Sequence, residues 1–323
     1  METPFESLQI PDKKQARRAA SLCAFSAVVM FLLSYALMTL YWILTASMEL
    51  TETMETNLDM IVNTLSTDLF AMPLAFLIFL FRLPKNEALA PDAPERAPLQ
   101  LKTVLFFLPC AYAVMIAGSL TGRLIGGIFG GFNDVITDVM SDVHPLVALL
   151  CAGIIAPVAE ELFFRKAIID RLSGFHPMDA IVFSALLFGF IHGNVTQFLY
   201  AFPLGVLLGI VYWRTKNIRY TILLHMALNL LGGVLPLLLG SLQPESEVLQ
   251  YVVQALQTVV FGSVVIGLII VGIVFLIRYR RRFLPIESPL PRVRGQFYIN
   301  VGWFVALTAF VGLFVYVEFF AKT

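Results

Sequence analysis

Long apolar runs, each bounded by short polar or proline-rich stretches, dominate this chain. A membrane-crossing helix needs about 20 largely apolar residues. Nine runs approach or exceed that: 19–46, 69–83, 103–122, 145–172, 177–193, 194–213, 219–238, 251–277 and 298–320. The fourth to seventh follow one another through very short connections, which makes them packed neighbours. The runs 177–193 and 194–213 meet at Gly193-Asn194, a candidate tight turn. The pattern predicts an all-α fold, a polytopic transmembrane helical bundle of about nine spans.

Between the runs, two segments have the pattern of helices lying on the outer membrane surface. In 123–143 the apolar Ile125, Ile128, Phe132, Ile136, Val139 and Val143 recur at helical spacing, with Asp134, Asp138 and Asp142 on another stripe. That stripe reads as the wet face of a helix, since no Gly-bearing calcium loop accompanies it. In 48–68, Met54, Leu58, Ile61, Val62 and Leu65 form an apolar side, with Glu52, Glu55 and Asp59 elsewhere. Pro84, Pro91, Pro94 and Pro98 mark 84–98 as a linker. The expected organisation is N-terminal spans and linker over 1–123, an outer interfacial helix over 124–144, a central core over 145–238 and C-terminal spans over 239–323.

Composition sharpens this. Hydrophobic residues make up 59% and charged residues 14% of 323 positions, with a mean hydropathy of +0.83. Ordinary soluble domains carry about 25% charged residues, so a water-soluble enzyme is excluded. A net charge of zero offers no basic field for nucleic acid. Cys23, Cys110 and Cys151 lie inside apolar runs, with neither a disulfide nor a zinc-finger spacing. The first run is far too long for a cleavable signal and reads as a signal anchor.

The distribution of Lys and Arg sets the expected orientation. With the N-terminus cytoplasmic, Lys13, Lys14, Arg17, Arg18, Arg82, Lys85, Arg96 and Lys102 lie inside, as do Arg165, Lys166, Arg171, Arg214, Lys216 and Arg219. So do Arg278, Arg280, Arg281, Arg282, Arg292 and Arg294, leaving only Arg123 and Lys322 outside.

Ionisable groups in the middle of a span cost at least about 2.5–3.5 kcal/mol, and where they persist function is the default reading. The fourth span holds Glu160, Glu161 and Arg165; the fifth ends in Phe188-Gly-Phe-Ile-His192; the seventh contains His225-Met-Ala-Leu-Asn229. Glu161 and Arg165 are four apart and can pair on one face. Glu160 points about 100° away, and an unpaired carboxylate in apolar surroundings suits a general base. His225 and Asn229 are four apart and face one cavity, with donors of the kind an oxyanion hole requires. For these depths to agree, the fourth helix must run to Leu172, about 18 Å below Glu160. Arg165 and Lys166 would then meet a wet, cytoplasm-facing cavity. Taken singly, a histidine in a bundle can be a packing or hydrogen-bonding residue, and a Glu–Arg pair a structural lock. Phe188 reads as a cavity wall or as core. His144 and His176, each before a proline at a span boundary, receive no role.

Glu-Glu-x-x-x-Arg at 160–165, Phe-x-x-x-His at 188–192 and His-x-x-x-Asn at 225–229 together resemble the three signature motifs of the CPBP intramembrane protease family. That family includes the eukaryotic CAAX prenyl endoprotease and bacterial lysostaphin-resistance and bacteriocin self-immunity proteins. The resemblance covers about residues 145–235, including the run from Phe198 to Gly209. It implies peptide-bond hydrolysis in or at the membrane, with Glu160 activating a water, His192 orienting it, and His225 and Asn229 stabilising the oxyanion. Glu161 and Arg165 would fix the helix and the cavity. No cofactor is expected on this reading. The alternative is Zn2+ held by Glu160, His192 and His225, which are acceptable ligand types, although no His-Glu-x-x-His helix is present.

Gly-x-Ser-Gly and Gly-x-Gly-Asp are absent, which argues against serine and aspartyl intramembrane proteases. A non-proteolytic membrane scaffold or bacteriocin-immunity protein retaining the motifs is the second reading. A proton-coupled transporter is the third, and it predicts repeated halves that the chain lacks. The expected partners are the lipid bilayer and a membrane-anchored protein or peptide substrate. The expected location is a bacterial cytoplasmic membrane.

Overall fold

The computed structural model describes residues 12–83, 98–128, 143–172, 174–241, 246–283 and 294–319, with positions 244, 286 and 292. Helix α1 (Lys13–Thr45) starts at a capping box in which Asp12 and Gln15 satisfy each other's backbone N–H groups. Helix α2 spans Glu52–Leu80, α3 Leu101–Ile128 and α4 Pro145–Leu172. Then come α5 (Pro177–Phe190), α6 (Val195–Thr215), α7 (Ile218–Gly240), α8 (Glu247–Phe283), α9 (Arg294–Tyr298) and α10 (Val301–Phe319).

Among the described residues there is no strand, and seven helices are long and apolar enough to cross a membrane. Two shorter apolar helices, Pro177–Phe190 and Val301–Val317, complete the nine regions expected. The protein is an all-α polytopic membrane bundle.

Helix starts follow local chemistry. His144 and His176 each precede a proline and accept the N–H of Leu146 and Met178 on Nδ1, so both are helix caps. Gly193, at φ 74°, makes the tight turn between α5 and α6, and Asn194 caps α6.

One expected element is replaced. The surface helix over 48–68 and the span 69–83 are one unbroken helix, α2, which places Asp68 well inside the bundle. Polar residues at one end of a long helix resemble a surface helix when read locally, but here the apolar face continues through them. Likewise, 124–128 continues α3, and the rest of the expected outer helix, with Asp134, Asp138 and Asp142, lies outside the described residues.

Of five widened i→i+5 stretches among the described residues, three, Leu65–Ala71, Leu149–Ile155 and Leu230–Val234, end two residues before a proline, Pro73, Pro157 and Pro236, and two, Phe76–Leu80 and Glu161–Ile169, do not. A proline ring crowds the carbonyl four residues back and donates no N–H, so the preceding ladder widens. Pro109 and Pro203 lie in unwidened helix, so proline alone is not sufficient.

Helix α6 packs on α5 and α3, α8 on α3, and α1 on α10. Without water to drive association, membrane helices gain most from close contact through small residues. A Cβ on Gly118 would stand 2.5 Å from the Leu199 carbonyl oxygen, so α3 and α6 approach as closely as they do only because that position is glycine. One core joins α1, α2, α4, α5 and α10 through Met30, Met72, Phe164, Phe183, Phe188 and Phe310. A second joins α3, α6 and α7 through Tyr112, Leu208, Leu224 and Leu228.

The basic helix ends gather at one end of the bundle. Arg171 donates to the Leu80 carbonyl, and Tyr212 to Asp170, which also pairs with Lys166 at 2.6 Å. The Tyr220 hydroxyl accepts from Gln100 N, and Arg17 donates to Gln296. At the opposite end His144 N donates to Asn57.

Candidate active site

Helix α4 runs unbroken from Pro145 to Leu172, as the depths of the three motifs require. Glu161 is fully buried, and its Oε2 lies 3.2 Å from Arg165 Nε one turn on. Its Oε1 lies 3.0 Å from His225 Nδ1 on α7. The other ring nitrogen, Nε2, stands 3.6 Å from Glu160 Oε2, beyond hydrogen-bond length. The first and third motifs therefore form one buried series: Arg165, Glu161, His225, Glu160. A carboxylate on Nδ1 fixes the orientation of an imidazole, so Glu161 sets how His225 faces Glu160.

Phe188 supports this series from α5. It is 1% exposed, and its ring lies under the Arg165 guanidinium at 4.2 Å. It meets His192 and His225 edge-on at 5.0 and 5.8 Å. The second-motif phenylalanine is thus core, and it touches a residue of each motif. Among the described residues the terminal nitrogens of Arg165 have no hydrogen-bond partner, and the guanidinium lies over the ring face. Ser184 donates to the Phe164 carbonyl at 2.6 Å and ties α5 to α4. His192 has its Nδ1 2.8 Å from the Phe188 carbonyl, which leaves Nε2 for other work.

Glu160 and His192 border a cavity of about 350 Å³. Its other polar lining comes from Ser34 of α1, from Asn63, Thr64, Thr67 and Asp68 of α2, and from Gln197 of α6. Such a lining at membrane depth is costly unless used. The α2 contribution was missed in the sequence, because 48–68 read as a surface helix; the signal was an apolar stripe running past a lone aspartate into 69–83. Asn229 is not among the lining residues. Its amide donates to the Ala152 carbonyl at 2.8 Å, and Ala152 lines the cavity. His225 also stands behind Glu160 rather than in the wall, so the structure brings His225 and Glu160 together but leaves Asn229 turned away.

The cavity extends from Glu160 and Asp68 toward the Gly193–Asn194 turn. Its lining residues therefore lie in the half of the bundle away from the basic helix ends, not beside Arg165 and Lys166 as the sequence led one to expect. The short α5 ends at Phe190, and this places His192 at the opposite end from Pro177. What extends toward the basic end is an apolar groove of about 600 Å³ between α2 and α4, lined by Met72, Phe76, Val158 and Phe163, with Lys166 and Arg171 at its far end. Asp68 borders both spaces.

The alternative zinc set of Glu160, His192 and His225 does not converge on one point. Among the described residues, no three His, Cys, Asp or Glu groups stand close enough to hold one ion. As placed, these three side chains do not form a ligand cluster.

Residues 142–231 match the family model described as type II CAAX prenyl endopeptidase Rce1-like. A Bacillus subtilis (strain 168) protein named "Putative membrane peptidase YdiL" is 29% identical over 82 residues, 25% of this chain and 34% of that protein. The chain thus spans about a third of the length of that curated relative. No solved structure matches. The matched segment begins just before α4 and ends just after Asn229, so it encloses all three motifs and the buried series that joins them. Over that segment the chain is similar to the type II CAAX prenyl endopeptidase Rce1-like family and to a protein named as a membrane peptidase.

Proposed function

We propose that this protein is an intramembrane endopeptidase that hydrolyses a peptide bond of a membrane-anchored protein or peptide by glutamate-activated water. The observation that carries the reading is that Glu160 and His192 border one polar cavity within a membrane bundle. Glu160 takes a proton from water, and the resulting hydroxide attacks the scissile carbonyl. His192, fixed through Nδ1, holds the water with Nε2. His225, oriented by Glu161, stabilises the oxyanion with Asn229, which joins it by turning from the Ala152 carbonyl. Arg165 and Phe188 keep Glu161 and the two histidines in place.

The groove between α2 and α4 suits an apolar stretch of substrate, leading past Asp68, which borders both spaces, to the cavity that holds Glu160. With the N-terminus cytoplasmic, as the positive-inside distribution favours, the polar cavity belongs to the outer half of a bacterial plasma membrane.

The test is cleavage of a quenched fluorescent peptide library, lipidated and unlipidated, by detergent-purified protein, alongside Glu160→Ala and His225→Ala, with and without chelator. Activity lost in both variants and kept with chelator supports the reading. Activity abolished by chelator and restored by zinc replaces it with a metal mechanism. Activity unchanged in the variants sinks the site assignment, and no cleavage of any peptide favours the scaffold reading.

A further inference from the structure

Asp68 lies on the widened stretch Leu65–Ala71 of α2 and is 6% exposed. The turn that carries it packs against Ala156–Glu160. Asp68 lines the polar cavity together with Glu160 and His192, and it also lines the apolar groove. Among the described residues its carboxyl group has no hydrogen-bond or ion-pair partner. A buried carboxyl with no protein partner has to be satisfied from the space it faces, and that space also holds Glu160.

Hydrolysis of a peptide bond needs two proton transfers. One leaves the attacking water, and one reaches the departing nitrogen, which is far too basic to leave as an anion. Glu160 accounts for the first. Of the other groups, His225, held by Glu161, is assigned to the oxyanion, and His192, held at Nδ1 by a backbone carbonyl, to the water. The other carboxyl on this cavity is Asp68.

We propose that Asp68 is the general acid of this site, a second working carboxyl across the cavity from Glu160. The proposal rests on the protease reading above. Like charges repel, so the two carboxyls share one proton, and turnover starts from the state in which Glu160 is ionised and Asp68 carries it. Glu160 removes a proton from water as the oxygen's electron pair forms the new C–O bond, and the carbonyl π pair moves onto oxygen. When that oxyanion collapses, the C–N bond breaks, its electron pair goes to nitrogen, and nitrogen takes the proton from Asp68. The proton on Glu160 then passes through cavity water to Asp68, which restores both groups. The charged and titratable groups facing Asp68 are Glu160 and His192 across the cavity and Lys166 and Arg171 along the groove; α1 contributes Ser34.

The experiment compares wild type, Asp68→Asn, Asp68→Glu and Glu160→Gln on a peptide that wild type cleaves and on the 4-nitrophenyl ester of the same acyl segment. The phenolate departs without a proton, so the ester does not need the acid. Asp68→Asn is expected to lower kcat/KM on the peptide about 10²-fold or more, and on the ester by less than about threefold. Both rates come from one preparation, so their ratio does not depend on how much of the variant folds. The alkaline limb of the peptide pH profile, which reports the acid, is expected to vanish in Asp68→Asn, and Asp68→Glu to recover part of the peptide rate.

Equal losses on both substrates, or no loss on either, overturn the proposal while leaving Glu160 in place. If wild type cleaves nothing, or Glu160→Gln cleaves as wild type does, the protease reading falls and this proposal falls with it.

Discussion

His225 Nδ1 lies 3.0 Å from Glu161 Oε1, so the third-motif histidine is held by the glutamate adjacent to the proposed base. Two neighbouring acids in one motif thus have different surroundings. Glu161 faces Arg165 and the histidine from a fully buried position, and Glu160 faces the cavity.

The buried pair should dominate stability. Arg165→Met leaves Glu161 without its cation, and breaking a buried pair from one side costs about 3–5 kcal/mol. Adding Glu161→Gln should return much of that, giving a double variant far more stable than the sum of the single losses. Thermal unfolding in detergent of the four proteins measures this, and simple additivity would contradict it.

Catalysis should separate the two glutamates. Glu160→Gln is expected to lose about 10²–10⁴-fold in kcat/KM, the range for a positioned base. Glu161→Gln keeps a hydrogen-bond acceptor for His225, so its loss should be smaller. Side-by-side rates on one peptide decide the matter, and a larger loss for Glu161→Gln would reverse the assignment of roles.

Helix contact at Gly118 gives a packing test. A side chain there meets the Leu199 carbonyl oxygen and the Tyr200 backbone, and rigid backbone cannot give way as a side-chain tip can. Gly118→Ala should destabilise by about 1–3 kcal/mol, the usual cost of overpacking. Gly262→Ala, with nothing within 4 Å, should be close to neutral in the same unfolding assay.

Lys216, in the connection between α6 and α7, supplies a pH dependence. Its Nζ sits 3.2 Å from the centre of the Trp213 ring, and burial pushes its amine down to about 8. An unfolded lysine titrates near 10.4, so between about pH 8 and 10.4 the unfolded chain binds a proton that the folded chain does not. Stability from this group therefore rises with pH through that window. The Tm difference between wild type and Lys216→Gln should move in favour of wild type from pH 7.5 to 10; a constant difference would show that the burial has no such effect.

Much of the architecture was legible because bilayer thickness is a local constraint. A run of apolar residues long enough to cross announces itself within its own stretch, as α1, α3, α4 and α8 do. The short α5 was visible through the Gly193-Asn194 turn. Helix periodicity put Glu161 with Arg165, and the common depth of the three motifs required an α4 reaching Leu172. The α2 helix was not legible in the same way. Thr, Asn and Asp between 51 and 68 are polar in any local window, and whether they face a wet cavity or the membrane surface depends on what packs against them.

The sequence by itself determined membrane residence, the helical class, the three motifs and the pairing of residues one turn apart, since each follows from spacing along a single helix. Only the tertiary structure decided that α2 brings Asp68 to Glu160 and that His225 rests on Glu161 while Asn229 binds Ala152. It also decided that the polar cavity lies away from the basic ends. These are relations between helices, fixed by which side chains and prolines let neighbouring faces approach, and no periodicity within one segment encodes them.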